Sequence, residues 1–216
     1  MALAAAAWLL VLVPFAGGDA AQSAHTAVHD STPLLGAGVG WLLMATAMML
    51  PSALPVARHL ATLGLWQRRQ RTIALFLGSY LVVWAGFGAV ALTVFAVGGV
   101  DTALVLPAVL LLAAAWELTP WKWRYVRACR LVAPLPPRGR KADVACCATG
   151  LRYGRSCVVA CWPVMLAMAA AGHENVGLMV LLTIVVTAEK LAARPSRLAT
   201  PAAALLSLSA VIAMTA

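Results

Sequence analysis

"GWLLMATAMMLPSALPVARH", residues 40–59, is an apolar stretch that combines methionines with two prolines and ends at a basic pair. Wound as an α-helix, it places one tryptophan, two of its methionines and both prolines within an arc of about 80°. These positions are Trp41, Met44, Met48, Pro51 and Pro55. Each proline removes a backbone donor and leaves a carbonyl oxygen without its helical partner. Because lipid offers no replacement, this face is predicted to pack against protein or a polar cavity.

The composition places the chain in a lipid bilayer. Of its 216 residues, 63% are hydrophobic and 11% are charged, and the mean hydropathy is +0.90. Soluble domains are about 45–50% apolar and about 25% charged. The formal net charge is +9, but the basic residues lie between apolar runs. We therefore expect them to set membrane orientation and to contact anionic lipid, and we expect no nucleic-acid partner.

Apolar segments of spanning length recur along the chain, and about seven are predicted to be transmembrane helices. They are residues 1–17, 34–57, 73–98, 103–119, 153–172, 176–191 and 198–216. Lysine and arginine are confined to alternate connections. Residues 58–71, 120–156 and 190–197 carry them, whereas residues 18–33, 99–102 and 172–175 have none.

This alternation predicts the topology, because basic loops stay in the cytoplasm. It indicates an all-α, polytopic transmembrane helix bundle whose N-terminus is cytoplasmic and whose C-terminus is extracytoplasmic. We expect one integral membrane domain, residues 1–216, with a basic cytoplasmic loop at 120–152. Residues 1–17 resemble a signal peptide but lack the basic start of one, so we expect a retained helix; cleavage would leave about six spans.

A stripe of sulfur runs along the fifth predicted span. Cys157, Cys161, Met165 and Met168 fall within an arc of about 80° on one helix. Thiolate and thioether ligands select soft metal ions, above all Cu(I). The alternative is that small cysteines and pliable methionines fill contacts between helices. Met44 and Met48 form a second stripe, and the two would converge on one ion only if their helices pack together.

Two acidic residues lie near the predicted inner ends of helices. Glu117 occurs in "WELTPWK" and Glu189 in "TAEKL", directly before Lys190. Ionisable groups at this depth are costly and are usually paired. One interpretation is a set of ion pairs that anchors helix ends, in which Glu117 could reach Lys122 or the basic loop. The other is a role as metal ligands or in a proton relay.

The predicted outer face has a cluster of its own. "HTAVHD" places His25 and His29 four residues apart, followed by Asp30. His173 and Glu174 lie in the next outer loop, on the same side of the membrane. Imidazoles together with a carboxylate would suit copper or zinc. The alternative is that these are solvated loop residues.

Nucleotide-binding and hydrolase motifs are absent from the sequence. It has no Walker motif, no dinucleotide fingerprint, no nucleophile elbow and no Cys-x-x-Cys pair. No catalytic residue can therefore be assigned, and whether the chain is an enzyme stays open.

Several motifs occur in a fixed order between residues 40 and 191. They are "WLLMATAMMLPSALP" at 41–55, "YLVVWAGF" at 80–87, "ELTPWK" at 117–122, "GLRYGRSCVVACWPVM" at 150–165 and "AEK" at 188–190. The ordered set resembles a bacterial family of predicted metal-binding integral membrane proteins, domain of unknown function 2182. The resemblance implies a multi-pass protein of the bacterial inner membrane. The sequence has Tyr125 and Ala160 where that family has cysteines.

Three functions are compatible with these features. The first is a membrane subunit that binds or handles a soft metal ion, copper above all, as an accessory component of a membrane oxidase or monooxygenase. The second is a metal-free scaffold subunit of such a complex. The third is a small-solute or ion transporter, which the lack of internal repeats disfavours. We favour the first and expect the bilayer and other membrane subunits as partners.

Overall fold

The chain is all-helical wherever its structure is described. The structure, a computed structural model, describes residues 33–63, 66–98, 102–129, 136, 139–171, 175–192 and 194–215. These residues form seven α-helices and no strand. The helices are α1 Pro33–Leu63, α2 Arg69–Gly98, α3 Thr102–Glu117, α4 Pro120–Ala128, α5 Gly139–Ala171, α6 Val176–Leu191 and α7 Ala199–Thr215, with 3₁₀ turns at Trp66–Arg68 and Pro195–Leu198. The predicted all-α class is confirmed for this part of the chain.

Four of the described helical segments are long and apolar enough to cross a membrane. They are Gly36–Thr62, Arg69–Gly98, Gly139–Ala171 and Ser196–Thr215. Helices α3 and α6 have 16 residues each, about 24 Å, which is less than the hydrocarbon thickness of about 30 Å. The count of seven spans therefore stays a prediction, and its first segment, residues 1–17, lies outside the described residues.

The basic segment 120–152 is mainly helical where a loop was expected. Helix α4 covers its start, and α5 begins at Gly139, whose φ of +83° suits a glycine. At 33 residues α5 is about 50 Å long and exceeds the bilayer core by about 20 Å. Lysine and arginine are good helix formers, so charges at Arg140 and Arg152 are carried on the exposed side of a helix that continues into the apolar core.

Helix α5 is central to the bundle, and two glycines bring it close to α2. It packs against α2, α3 and α4, while α1 packs against α2 and α6, and α7 packs against α3. A Cβ atom at Gly150 would lie 2.6 Å from the carbonyl oxygen of Phe76, and one at Gly154 would lie 2.9 Å from Cβ of Val83. Small residues one turn apart thus allow the two backbones to approach closely.

The methionine face of α1 is buried, as predicted. Met44 is 3% exposed and Met48 is fully buried. The indole nitrogen of Trp41 donates a hydrogen bond to the carbonyl oxygen of Trp84 at 3.0 Å, which attaches this face to α2. The proline end differs, because Pro55 is exposed and lines a cavity. The face therefore meets protein at one end and a cavity at the other.

Ion pairs connect the helix ends that carry the basic residues. Asp143, near the start of α5, pairs with Arg68 and, at 2.8 Å, with Arg71. Farther along, Lys122 of α4 pairs with the last residue of α3, Glu117, and with Glu189 near the end of α6. We call this end of the bundle, where α1, α3 and α6 terminate and α2 and α5 begin, the basic end.

Candidate functional site

A buried thiol lies where four helices meet. Cys157 of α5 is fully buried, and its sulfur is 2.7 Å from Nζ of Lys190, near the end of α6. The hydroxyl of Tyr80, from α2, lies 3.2 Å from the same sulfur. Lys190 also donates to Oγ of Ser52 in α1, at 3.2 Å. The thiol therefore has an ammonium and a phenol as immediate neighbours.

The two sulfur stripes lead to one contact between α1 and α5. Ser52 lies one turn after Met48, and Tyr153 lies one turn before Cys157, so each continues its stripe by one position. The hydroxyl of Tyr153 donates to the carbonyl oxygen of Ser52 at 3.1 Å. The spacing alone did not determine whether these helices meet, and this hydrogen bond connects them.

The other predicted sulfur residues belong to the same core. Cys161 lies one turn after Cys157, within hydrogen-bonding reach of it, and is 2% exposed. Both stripes are part of one continuous cluster of buried residues. Its predicted sulfur members are Met44, Met48, Cys157, Cys161, Met165 and Met168. The buried cluster that contains Cys157 thus also holds a second thiol and four thioethers of the two stripes.

A second buried polar cluster adjoins the thiols. The ammonium of Lys122 contacts Glu117 and lies 2.6 Å from a carboxylate oxygen of Glu189, and all three residues are 1% exposed. Burial by itself lowers the pKa of Lys122, but the two carboxylates outweigh burial and raise the pKa above its usual value. Lys122 is also close enough to Cys161 for its charge to act on that thiol. The two predicted acids thus share one lysine: the expected pairing of Glu117 with Lys122 is present, and Glu189 joins it.

The neighbours of Cys157 favour the form of the side chain that binds metal. A positive charge close to a cysteine favours the thiolate, which is the metal ligand, over the thiol. Lys190 provides that charge at 2.7 Å from the sulfur. A cation that binds Cys157 must take the place of the ammonium, and Ser52 already offers Lys190 an alternative acceptor.

Soft ions fit the described site better than harder ones. Within the described ranges, no three or more His, Cys, Asp or Glu side chains form a group able to hold a metal ion. Structural zinc sites need four such ligands. Cu(I) accepts fewer ligands and prefers thiolate and thioether sulfur, which Cys157, Cys161 and the methionines supply. The donor set therefore suits Cu(I).

The predicted outer cluster lies beyond what the structure describes. His25, His29, Asp30, His173 and Glu174 all fall outside the described residues. Their role as a copper or zinc site stays a prediction.

A cavity of about 330 Å³ opens beside the thiol site at the basic end. Its wall includes Ser52 and His59 from α1, Cys129 just after α4, Tyr153 from α5 and Lys190 from α6. Cys129 is buried, whereas His59 is exposed. We call this space the basic-end cavity.

Three residues of the site were not predicted. Ser52 and Tyr153 could have been found by extending each sulfur stripe by one helical turn. Tyr80 lies in the motif "YLVVWAGF", but nothing local indicates that its side chain points toward the thiols. Its position in the site depends on tertiary packing.

Comparison with known proteins gives a match to a family model. The model of the PpoB2 family, with the description "copper chaperone", matches residues 38–213. No curated protein and no solved structure matches the chain. The family match agrees with the metal-related family that the ordered motifs indicated, and it covers most of the chain, including every described residue of the thiol site. The chain therefore belongs to the PpoB2 family of copper chaperones.

Proposed function

We propose that the protein is an integral membrane copper chaperone that binds Cu(I) on Cys157 and Cys161, with methionine thioethers completing the site. The observation that carries the proposal is the fully buried Cys157, held 2.7 Å from Lys190 in a core rich in sulfur. The family match supports copper as the ion. Copper is the cargo of this protein and is not consumed in a reaction. The protein needs no catalytic residue for this role.

The proposed position is the bacterial inner membrane. Seven spans form one domain, with the N-terminus in the cytoplasm and the C-terminus outside it. The four segments of spanning length support a membrane location, and the gathering of basic residues at one end of the bundle supports the orientation. Reporter fusions at residues 100 and 174, expected to face outward, and at residue 135, expected to face inward, test the topology.

The proposed recipient is a membrane oxidase or monooxygenase that this protein serves as an accessory subunit. Exposed apolar side chains run along α2, among them Val82, Val90 and Val94. Such a surface suits lipid and the helices of a second membrane protein. Deletion of the chaperone is expected to leave the recipient assembled but deficient in copper.

Metal analysis of the detergent-purified protein, expressed with added copper, tests the site. The wild type is expected to hold nearly stoichiometric copper, and Cys157→Ser/Cys161→Ser to lose it. Cys146→Ser/Cys147→Ser is the matched control, because it removes the same two groups from the same helix outside the site. Copper retained by the first variant, or lost equally by both, contradicts the assignment.

Two other outcomes would change the function. Loss of copper only in His25→Ala/His29→Ala would move the chemistry to the predicted outer cluster. A folded wild type that takes up no metal would favour the metal-free scaffold. In that case the buried cysteines would serve only packing, and Cys157→Ser would alter stability but not the copper content of the recipient.

A further inference from the structure

The basic-end cavity reaches the thiol site through one side chain. Lys190 forms part of the cavity wall, and its ammonium is 2.7 Å from the sulfur of Cys157. Tyr153, one turn before Cys157, forms another part of the wall. Lys190 thus connects the cavity wall to Cys157, and its ammonium also donates to Ser52, another residue of the wall.

The cavity wall carries two groups that bind soft or borderline metal ions. His59 is exposed, and Cys129 is buried at 4% exposure. Imidazole and thiolate are both copper ligands. His59 comes from α1 and Cys129 from the end of α4, and the rest of the wall includes Pro55, Val56, Val126 and Leu191. The wall thus offers a sequence of ligands from the exposed imidazole to the buried thiol.

The size and charge of the cavity indicate the form in which copper arrives. About 330 Å³ is far larger than a bare ion and lies within the range of small-molecule sites. The ammonium of Lys190 favours an anionic occupant. A small thiol that bears carboxylates and carries Cu(I) on its sulfur has both the size and the charge.

We propose that the basic-end cavity is the loading port, in which Cu(I) passes from a small anionic thiol to Cys129 and then to Cys157. The proposal rests on the proposed copper function. His59 provides the first contact at the mouth, and Lys190 attracts the carboxylates of the carrier. When copper reaches Cys157, the Lys190 ammonium moves aside toward Ser52.

Each transfer is a ligand exchange without redox change. The sulfur of Cys129 forms a bond to Cu(I) as the bond from Cu(I) to the carrier sulfur breaks, and the proton of Cys129 passes to the released carrier thiolate. The thiolate sulfur of Cys157 then binds copper as the bond to Cys129 breaks, and the released Cys129 thiolate takes a proton from water in the cavity. Copper remains Cu(I) throughout.

Loading kinetics test the port. The probe is the Cu(I)–glutathione complex, mixed with purified full-length protein, and the readout is the rate of copper transfer followed by the final copper content. Cys129→Ser and His59→Ala are each expected to slow loading by about tenfold while leaving the final content unchanged. Val126→Trp, which fills the cavity, is expected to slow loading as well.

Cys147→Ser is the control, because this half-buried thiol of α5 is not part of the cavity wall. The Cys147→Ser variant should load copper at the wild-type rate. Thermal melting identifies any variant that fails to fold. If Cys129→Ser does not fold, His59→Ala still tests the port, because His59 is exposed.

Wild-type loading rates in His59→Ala and Val126→Trp overturn the port while leaving the copper site intact. A wild type that takes up no copper overturns both proposals. Phospholipid co-purifying in the cavity, with unchanged loading, identifies a lipid site in its place.

Discussion

The ammonium nitrogen of Lys190 lies 2.7 Å from the sulfur of Cys157, and both side chains are buried. Glu189, next to Lys190 in the sequence, pairs with Lys122 on another helix. A copper ion held by two thiolates carries one negative charge overall. A buried charge is costly unless an opposite charge lies nearby. In the proposed copper site, Lys190 would compensate that charge after moving aside for the ion.

Lys190→Met is expected to weaken Cu(I) binding, because the variant leaves the copper–thiolate complex without a compensating charge. Loss of a partner next to a metal ligand typically costs about 10–100-fold in affinity. Competition with a chromogenic Cu(I) chelator measures the change. Arg194→Met removes an exposed positive charge near the same end of the bundle and should bind copper like the wild type. Equal or tighter binding by Lys190→Met would show that the lysine acts as a competitor of copper.

Met48→Leu separates a thioether ligand from a packing residue. Leucine fills nearly the same volume, so the free energy of unfolding should change by less than about 1.5 kcal/mol. If the Met48 sulfur binds copper, Cu(I) affinity should fall about tenfold, or about 1.4 kcal/mol. Met179→Leu is the matched control, since Met179 is 1% exposed in α6 and belongs to neither stripe. Equal affinities in the two variants would assign Met48 to packing.

The helical periodicity of the sequence was sufficient to predict the buried faces. Met44 and Met48 were expected to share a buried face, and they do, because positions one turn apart on an apolar helix face the same neighbour. Local charge patterns were a less reliable guide to where the helices begin and end. Residues 139–152 were expected in a loop because of their charges, but charged residues also form helices that extend beyond the membrane.

The contacts within the site could not be derived from local patterns. The groups around Cys157 come from three other helices. Tyr80 of α2 and Lys190 of α6 contact its sulfur, and Ser52 of α1 contacts Lys190. Tyr80 is 77 positions from Cys157 and Lys190 is 33 positions from it, and no local sequence pattern relates residues so far apart. The order of packing, with α5 between α2 and α3, determines which of several buried polar residues meet.

Lys122→Met is expected to destabilise the fold strongly, because the buried carboxylates of Glu117 and Glu189 would both lose the ammonium that they contact. Removing one member of a buried ion pair typically costs about 3–5 kcal/mol. Thermal unfolding in detergent measures the loss. Since the pKa of Lys122 is raised in the folded protein, its contribution is complete below the usual lysine pKa of about 10.4 and is lost only at higher pH.

The triple variant Lys122→Met/Glu117→Gln/Glu189→Gln is the control for uncompensated charge. It removes all three charges, so it should recover much of the stability that Lys122→Met loses. A triple variant as unstable as the single one would mean that the shape of the lysine, and not its charge, holds α3, α4 and α6 together.

Gly150→Ala tests whether close approach of α2 and α5 holds the thiol site in register. The added Cβ atom would lie 2.6 Å from the backbone oxygen of Phe76 and 2.9 Å from Cβ of Ser79, so the helices must separate. Overpacking of this kind costs about 1–3 kcal/mol, measured by thermal unfolding. Because Cys157 lies two turns farther along α5 and contacts Tyr80 of α2, Cu(I) affinity should also fall.

Gly78→Ala is the control, because no atom lies within 4 Å of the new Cβ. This variant should be neutral or stabilising by about 0.5–1 kcal/mol, as expected for removing glycine from a helix. If both variants unfold at the same temperature, helix propensity dominates at these positions and the close contact between α2 and α5 contributes little to the site.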